Sequence, residues 1–365
     1  MIVKDIILGR MSLPLKKSFK TAVRSANTLN DVIVKVITDT GNVGFGSAAS
    51  TGLVTGDTME SIDGAISNYI KKSIIDMDIE NIEGILMKLN SCIVRNTSAK
   101  AAVDIAIYDL YGQMYNAPLY KILGGYRKEL ETDITISVNS PSEMAKDSME
   151  AVKLGYKTLK IKVGGNAAID IERMKAIRKA TSNNINLRID ANQGWKPKEA
   201  VRTLRKIEDA GINIELVEQP VDAGNIDGLK MVTDNVDIPV MADESVFSPR
   251  DAVKVMEMRA ADLINIKLMK TGGIYNALKI CSLAETYGIE CMIGCMLEGK
   301  VSVTAAANLA AAKSVITKVD LDGPQLCSRD DVIGGAIYHN NKIVLNAGAG
   351  LGIKGIKNIL NFRET

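Results

Sequence analysis

The stretch Leu159-Lys160-Ile161-Lys162-Val163-Gly164-Gly165 decides the fold, because it places two lysines two residues apart in an apolar run that ends on a glycine pair. Strand side chains alternate with period 2, so in a strand both ammonium groups point the same way. A buried strand keeps charge on one face only where something of opposite sign meets it. Downstream, short apolar runs recur between longer amphipathic segments. The expected strands cover 132–138, 157–163, 186–190, 214–218, 240–243, 263–267, 290–294 and 315–321. From Lys162 the strand ends step to Asp190, Glu218, Asp243 and Lys267, at intervals of 28, 28, 25 and 24 residues. Each step is about one βα unit, and eight such strands in a row predict a (β/α) barrel rather than an open sheet.

The flanks read differently. Residues 1–50 hold alternating runs such as Val32-Ile33-Val34-Lys35-Val36-Ile37 followed by the turn signal Thr38-Asp39-Thr40-Gly41-Asn42, which predicts a small antiparallel sheet. From Asp57 to about Tyr115 the spacing of Ala101, Ala102, Ile105, Ala106 and Leu110 predicts helices with one apolar face. After Cys327 comes one more strand-like run, 342–345, and the loop Asn346-Ala347-Gly348-Ala349-Gly350-Leu351-Gly352. This last segment is expected to pack back on the first domain.

Composition bounds the function. With 46% hydrophobic and 24% charged residues and a net charge of +2, the chain carries neither the signature of disorder nor the basic excess of a nucleic-acid or membrane-surface binder. No apolar run approaches the roughly 18 residues of a membrane span, and no leader pattern opens the chain, so the expected location is the cytoplasm. Five cysteines without CxxC spacing suggest neither a disulfide framework nor a zinc site. His339 is the only histidine, which argues against histidine-based zinc sites and Ser-His-Asp hydrolysis. Proton chemistry is left to lysines and carboxylates.

In a barrel of this type, catalytic groups sit at the C-terminal ends of the strands. Those ends carry Lys160 and Lys162, then Asp190, Glu218, Asp243 and Lys267, and finally Asp320 and Asp322. A single charged strand end can simply be leaving the core for solvent; five in succession at regular spacing are harder to explain that way. Asp190, Glu218 and Asp243 come from adjacent strands, and three bare carboxylates cannot share that space without a cation. An all-oxygen set suits Mg²⁺, with Mn²⁺ next, and separate surface ion pairs are the alternative. Lys162 and Lys267 flank the set from nearly opposite strands. A lysine is a useful base near neutral pH only if its pKa falls from about 10.4, which burial and a neighbouring cation can both cause; Lys160 is such a neighbour for Lys162, and the metal is expected to help depress both. Two such lysines could take a proton from one face of a substrate and return one to the other, with the metal stabilising the enolate between.

Lys160-x-Lys162, Asp190-Ala191-Asn192, Glu218-Gln219-Pro220, Ala242-Asp243-Glu244-Ser245 and Asn265-Ile266-Lys267 followed by Thr271-Gly272-Gly273 closely resemble the enolase superfamily, in its muconate-lactonizing-enzyme-like subgroup. Ala101 to Gly125 resembles that family's cap-domain helix and Gly350-Leu351-Gly352 its C-terminal return, so the resemblance runs collinearly along the chain. It implies an α/β fold, a modified TIM barrel (β/α)₇β, with an α+β capping domain over 1–127, the barrel over 128–326, and 327–365 returning to the cap. It also implies Mg²⁺ on Asp190, Glu218 and Asp243, Lys162 and Lys267 as the acid/base pair, and Lys160 against the substrate carboxylate or enolate. A homo-oligomer is expected by the same resemblance.

The subgroup's reactions diverge, so the lysines alone do not name one. Asp320 and Asp322 face the same way at the last strand end and suit a substrate ammonium, although a solvated turn before Gly323-Pro324 is the plainer alternative. With the other motifs they resemble the dipeptide epimerases of the superfamily. Arg24 falls at the position where that group grips a glutamate side chain, which implies L-Ala-D/L-Glu as substrate and murein peptide metabolism as setting; an exposed basic loop residue is the alternative. By the same resemblance Thr135, Cys295 and Leu297 line the site, while Met296 is expected to pack. The competing activities are an N-acylamino acid racemase or o-succinylbenzoate synthase and a muconate cycloisomerase, none of which needs an amine clamp. A non-catalytic binding protein is the competing class. Lys270-Thr271-Gly272-Gly273 could cradle a phosphate but reads more simply as a tight βα turn, and Trp195 reads as packing.

Overall fold

The computed structural model describes residues 1–21 and 25–364. Three strands, β1 (Val3–Lys20), β2 (Ser25–Thr38) and β3 (Val43–Ala49), form an antiparallel meander, and the C-terminal strand Leu360–Glu364 pairs with the outer edge of β1. The β2–β3 turn falls on the expected Thr38–Asn42 signal, with Gly41 in the left-handed region at φ +79°. One face of this sheet is covered by the helix Thr97–Met114. Glycines in β3 make that contact possible: a Cβ on Gly46 would stand 1.8 Å from the Ala102 carbonyl oxygen, and one on Gly44 2.2 Å from that of Ala106. The helix answers with alanines, so backbone lies almost on backbone.

After β4 (Glu129–Glu131), which pairs with the late strand Lys342–Val344, the barrel begins. Its strands are β5 (Ile134–Ile136), β6 (Thr158–Lys162), β7 (Asn186–Asp190), β8 (Leu216–Glu218), β9 (Val240–Ala242), β10 (Leu263–Lys267), β11 (Glu290–Gly294) and β12 (Ile316–Asp320). They form one parallel eight-stranded sheet in sequence order, and a helix follows each strand as a parallel crossover requires. The seam between β12 and β5 is stitched by the Asp133 N–H donating to the Val319 carbonyl at 3.4 Å and the Leu321 N–H donating to Thr132 Oγ1 at 2.9 Å. Inward positions alternate along each strand. Leu216, Met241, Leu263 and Met292 pack together as an apolar layer, and two residues further along stand Glu218, Asp243, Asn265 and Gly294.

Three buried aspartates tie cap to barrel and tail. Asp104 on the helix Thr97–Met114 accepts the Ile274 N–H at 2.6 Å and the Tyr275 N–H at 3.3 Å, capping the barrel helix Ile274–Tyr287. That carboxylate meets the helix start after Gly273; Lys270 and Thr271 end the short helix Leu268–Thr271, and Gly272 and Gly273, with φ of +77° and +114°, turn the chain into the next. Asp109 accepts from Phe45 N at 3.0 Å and Leu351 N at 2.7 Å, which docks the Gly350-Leu351-Gly352 loop on the same helix. Asp31 on β2 accepts the Gly299 N–H at 2.9 Å. Trp195 packs as expected, donating to Asp170 at 3.3 Å. Among the described residues no helix is long and apolar enough to cross a membrane.

Candidate active site

Parallel register carries the charged residues to one level. Lys162 is paired with Asp190, Asp190 with Glu218, and Gly294 with both Lys267 and Asp320, while Asp243 and Asp322 stand just beyond their strands. All are buried. Because β6 and β10 lie four places apart in an eight-stranded barrel, Lys162 and Lys267 come from opposite walls.

The ammonium groups are threaded between the carboxylates. Lys160 Nζ reaches Asp190 Oδ2 at 3.0 Å, Glu218 Oε2 at 2.7 Å and Asp320 Oδ2 at 2.6 Å. Lys162 Nζ stands 2.5 Å from Asp190 Oδ2. Lys267 Nζ stands 2.6 Å from Asp243 Oδ2 and 3.6 Å from Glu218 Oε1. Burial alone would raise every one of these carboxyl groups; the lysines nevertheless hold Asp190 and Asp243 below the usual carboxylate range. Glu218 is pushed up to about 7, by burial and then by the Asp190 charge. Lys267 and Lys160 are raised by the carboxylates around them. Burial lowers Lys267, but Asp243 and Glu218 outweigh it and raise the group, and Lys160 is raised in the same way by Asp190, Asp320 and Glu218.

Thr135, Lys160, Lys162, Lys267, Cys295 and Leu297 line one cavity together with Asp320 and Asp322. Cap residues Phe19, Thr21, Leu53 and Val54 close it from above. Met296, expected only to pack, also borders it. Arg24 lies outside the described residues. Asp320 and Asp322 are not equivalent. Asp320 is held by Lys160, whereas Asp322 accepts the Thr135 N–H at 2.7 Å and is pushed up to about 6 by burial and by Asp320.

Several residues escaped the sequence reading. Glu244 and Asn192 border the cavity, and their Glu244 Oε2 and Asn192 Oδ1 atoms are buried with no hydrogen-bond partner. Burial and the neighbouring Asp243 push Glu244 up to about 8. Asn265 Nδ2 donates to Glu218 Oε1 at 2.8 Å, and Gln219 Oε1 accepts from the backbone N–H groups of Asp243 and Ser245 at 2.8 and 3.1 Å. Asn192, Gln193 and Gln219 all have positive φ, directly after the charged ends of β7 and β8. The motifs containing these residues were visible, but nothing in them told which atoms they would hold.

Whether this donor set suits a divalent cation can be tested on its charge. Asp190, Glu218, Asp243, Glu244, Asp320 and Asp322 outnumber Lys160, Lys162, Lys267 and Lys270 by two. Asp243 Oδ1, although 2.6 Å from the Lys270 ammonium, receives no hydrogen bond. Among the described residues no three acidic, histidine or cysteine side chains close as a ready cage, because Lys160 and Lys267 stand between the carboxylates. Hard oxygen donors, the excess of carboxyl groups over ammonium groups and the unbonded Asp243 oxygen suit Mg²⁺.

Opposed lysines over a row of carboxylates at the strand tips of a capped barrel define an enzyme of the acid–base type. The chain belongs to the enolase superfamily: residues 5–124 match the mandelate racemase/muconate lactonizing enzyme N-terminal domain and residues 143–356 the enolase C-terminal domain-like family. It is 75% identical over 358 residues to the L-Ala-D/L-Glu epimerase of Clostridium acetobutylicum, covering 98% of this chain and 100% of that one. A substrate-liganded complex of the L-Ala-D/L-Glu epimerase from Bacillus subtilis matches with a TM-score of 0.97 at 50% identity, over 98% of this chain and 100% of that one. The dipeptide epimerase from Enterococcus faecalis, complexed with Mg and the dipeptide L-Leu-L-Tyr, matches with a TM-score of 0.94 at 43% identity, over 97% and 99% of the two chains.

Proposed function

We propose that the chain is an isomerase, a Mg²⁺-dependent epimerase of dipeptides with L-Ala-D/L-Glu as substrate, which inverts the Cα next to the C-terminal carboxylate. The observation that carries this is the meeting, in one cavity, of two lysines from opposite walls with the Asp320/Asp322 pair at the last strand tip. The names of the relatives support the substrate.

Asp190, Glu218 and Asp243 would hold the ion, which when bound supplies positive charge against the substrate carboxylate. Lys162 takes the proton from Cα on one face and Lys267 delivers one on the other, or the reverse, in a two-base 1,1-proton transfer. Burial and Lys160 act to lower Lys267, and the two carboxylates that raise it most, Asp243 and Glu218, are ones that would hold the ion. Lys160 holds the substrate carboxylate and favours the enolate form. Asp322 and Asp320 grip the free amine, Arg24 the glutamate side chain, and Thr135, Cys295 and Leu297 line the site. The oxygen donors would also take Mn²⁺, and the cytoplasm is the expected location; the resemblance extends the proposal to a homo-oligomer working on murein peptides, with a cap over 1–127, a barrel over 128–326 and a returning segment over 327–365.

The test is hydrogen–deuterium exchange at Cα of L-Ala-L-Glu in D₂O, with Mg²⁺ and with a chelator. Exchange is expected only with the metal. Absence of metal-dependent exchange on every dipeptide of a library overturns the proposal.

A further inference from the structure

Lys270 is a fourth buried lysine beside the carboxylates, and it does not border the cavity. It stands in the four-residue helix Leu268–Thr271 directly after β10, with its side chain wholly excluded from solvent. Its ammonium donates to the backbone carbonyls of Asp243 and of Asn265, the latter at 2.9 Å, and lies 2.6 Å from Asp243 Oδ1. An ammonium has three protons and no acceptor; two of them go to these carbonyls, and Asp243 Oδ1 beside it is met as an ion pair without a hydrogen bond. The Phe247 ring, 5.9 Å away, covers it.

Two carboxylates are braced through this one group. Lys270 holds Asp243 by a hydrogen bond to its backbone carbonyl and by charge beside its side chain, and Gln219 fixes the same residue through the Asp243 N–H. Glu218 is held indirectly, because Asn265, whose carbonyl Lys270 grips, donates its own side-chain N–H to Glu218 Oε1 at 2.8 Å. Charge points the same way. Three carboxylates around a dication leave one negative charge over, and Lys270 supplies its match without entering the space where substrate must sit. Lys160 and Lys267 cannot play that part, since each is committed to the cavity.

We propose that Lys270 is a positioning residue for the metal-binding carboxylates, a fixed cation behind Asp243 and Glu218 that sets how tightly the site holds Mg²⁺; this rests on reading Asp190, Glu218 and Asp243 as the ligands. Groups that orient metal ligands from behind are typically worth 10- to 100-fold in metal affinity.

The experiment titrates Mg²⁺ into substrate-free wild type, Lys270→Met and Lys270→Gln by calorimetry, alongside the rise in Tm on adding Mg²⁺. Wild type is expected to bind at one site. Both variants are expected to stay folded, to bind Mg²⁺ roughly 10- to 100-fold more weakly, and to show an unchanged dipeptide KM once Mg²⁺ is saturating. Folded variants that bind Mg²⁺ as wild type does overturn the inference and leave the metal reading standing. A wild type that binds no Mg²⁺ overturns the metal reading itself, and this inference with it. Loss of the folded state in both variants, with or without Mg²⁺, assigns Lys270 to folding and also overturns the inference.

Discussion

Replacing Asp322 with asparagine isolates the proposed amine clamp from everything else in the site. The Thr135 N–H that donates to Asp322 Oδ2 at 2.7 Å can donate equally to an asparagine oxygen, so the β12–β5 side of the barrel keeps its stitch. What disappears is one buried negative charge. Asp320 cannot compensate, because its own charge is already matched by Lys160 at 2.6 Å. A hydrogen bond to a charged partner is worth roughly 1.5–3 kcal/mol. At about 1.4 kcal/mol per factor of ten, kcat/KM for a free-amine dipeptide should fall about 10- to 150-fold. The pH profile carries a second signature. Asp322 is pushed up to about 6, so in wild type the clamp is neutralised and kcat/KM declines as pH falls through that value. Asparagine cannot titrate, and the variant should lack that decline.

The assay follows Cα exchange in D₂O by NMR at saturating Mg²⁺, comparing L-Ala-L-Glu with its N-acetyl form. Wild type should prefer the free amine, and Asp322→Asn should shrink that preference by the factor just given, with an unchanged melting curve. An equal loss on both substrates would refute the reasoning, because it would place Asp322 in the chemistry or in the barrel seam rather than at the amine.

Lys162→Ala and Lys267→Ala should each abolish net epimerisation by about 10²- to 10⁴-fold while leaving exchange from one epimer only, and the two variants should keep opposite epimers; loss of both exchanges in either variant contradicts opposed bases. Gly46→Ala should destabilise the cap by at least about 1–3 kcal/mol, since the new Cβ would stand 1.8 Å from the Ala102 carbonyl oxygen, and an unshifted thermal melt would show that the helix can retreat at no cost. Asp31→Asn should change the pH dependence of stability. Burial and the facing Glu298 push Asp31 up to about 8, so between roughly pH 4 and pH 8 the folded chain keeps a proton that the unfolded chain has released. Stability therefore falls with rising pH across that window, by at most about 1.4 kcal/mol per unit for this group. The asparagine variant loses that slope, and urea melts should find its advantage over wild type growing from pH 5 to pH 8; a constant difference would contradict the assignment.

Barrel strands were readable because a parallel strand is buried on both faces and appears as an apolar run. Those over Asn186–Asp190, Leu263–Lys267 and Glu290–Gly294 have the expected bounds. The strands at Leu216–Glu218 and Val240–Ala242 are shorter than their apolar runs, since pairing with neighbours rather than hydrophobicity decides where a ladder starts and stops. The length of β1 was hidden for the same reason. Its polar end is strand because Phe19 and Lys20 pair with Ala26 and Ser25 of β2.

At the site, which residues converge was legible, but what each one holds was not. Lys160 reads as a group for the substrate, and it is also the ion-pair partner of Asp320, 160 residues away. Asp104 reads as one more polar residue on a cap helix, and it caps a barrel helix 170 residues further on. In each case the partner is chosen by barrel closure and by the docking of the cap, which no local pattern encodes. A side chain that faces the cavity leaves a trace, a charge where an apolar run ends. One that holds another side chain leaves none. Lys267 and Lys270 show the difference within a single turn: both are buried lysines touching Asp243, but Lys267 ends the strand at the cavity, while Lys270, inside the helix Leu268–Thr271, is turned toward two backbone carbonyls. That turn is what divides the proposed base from the proposed brace.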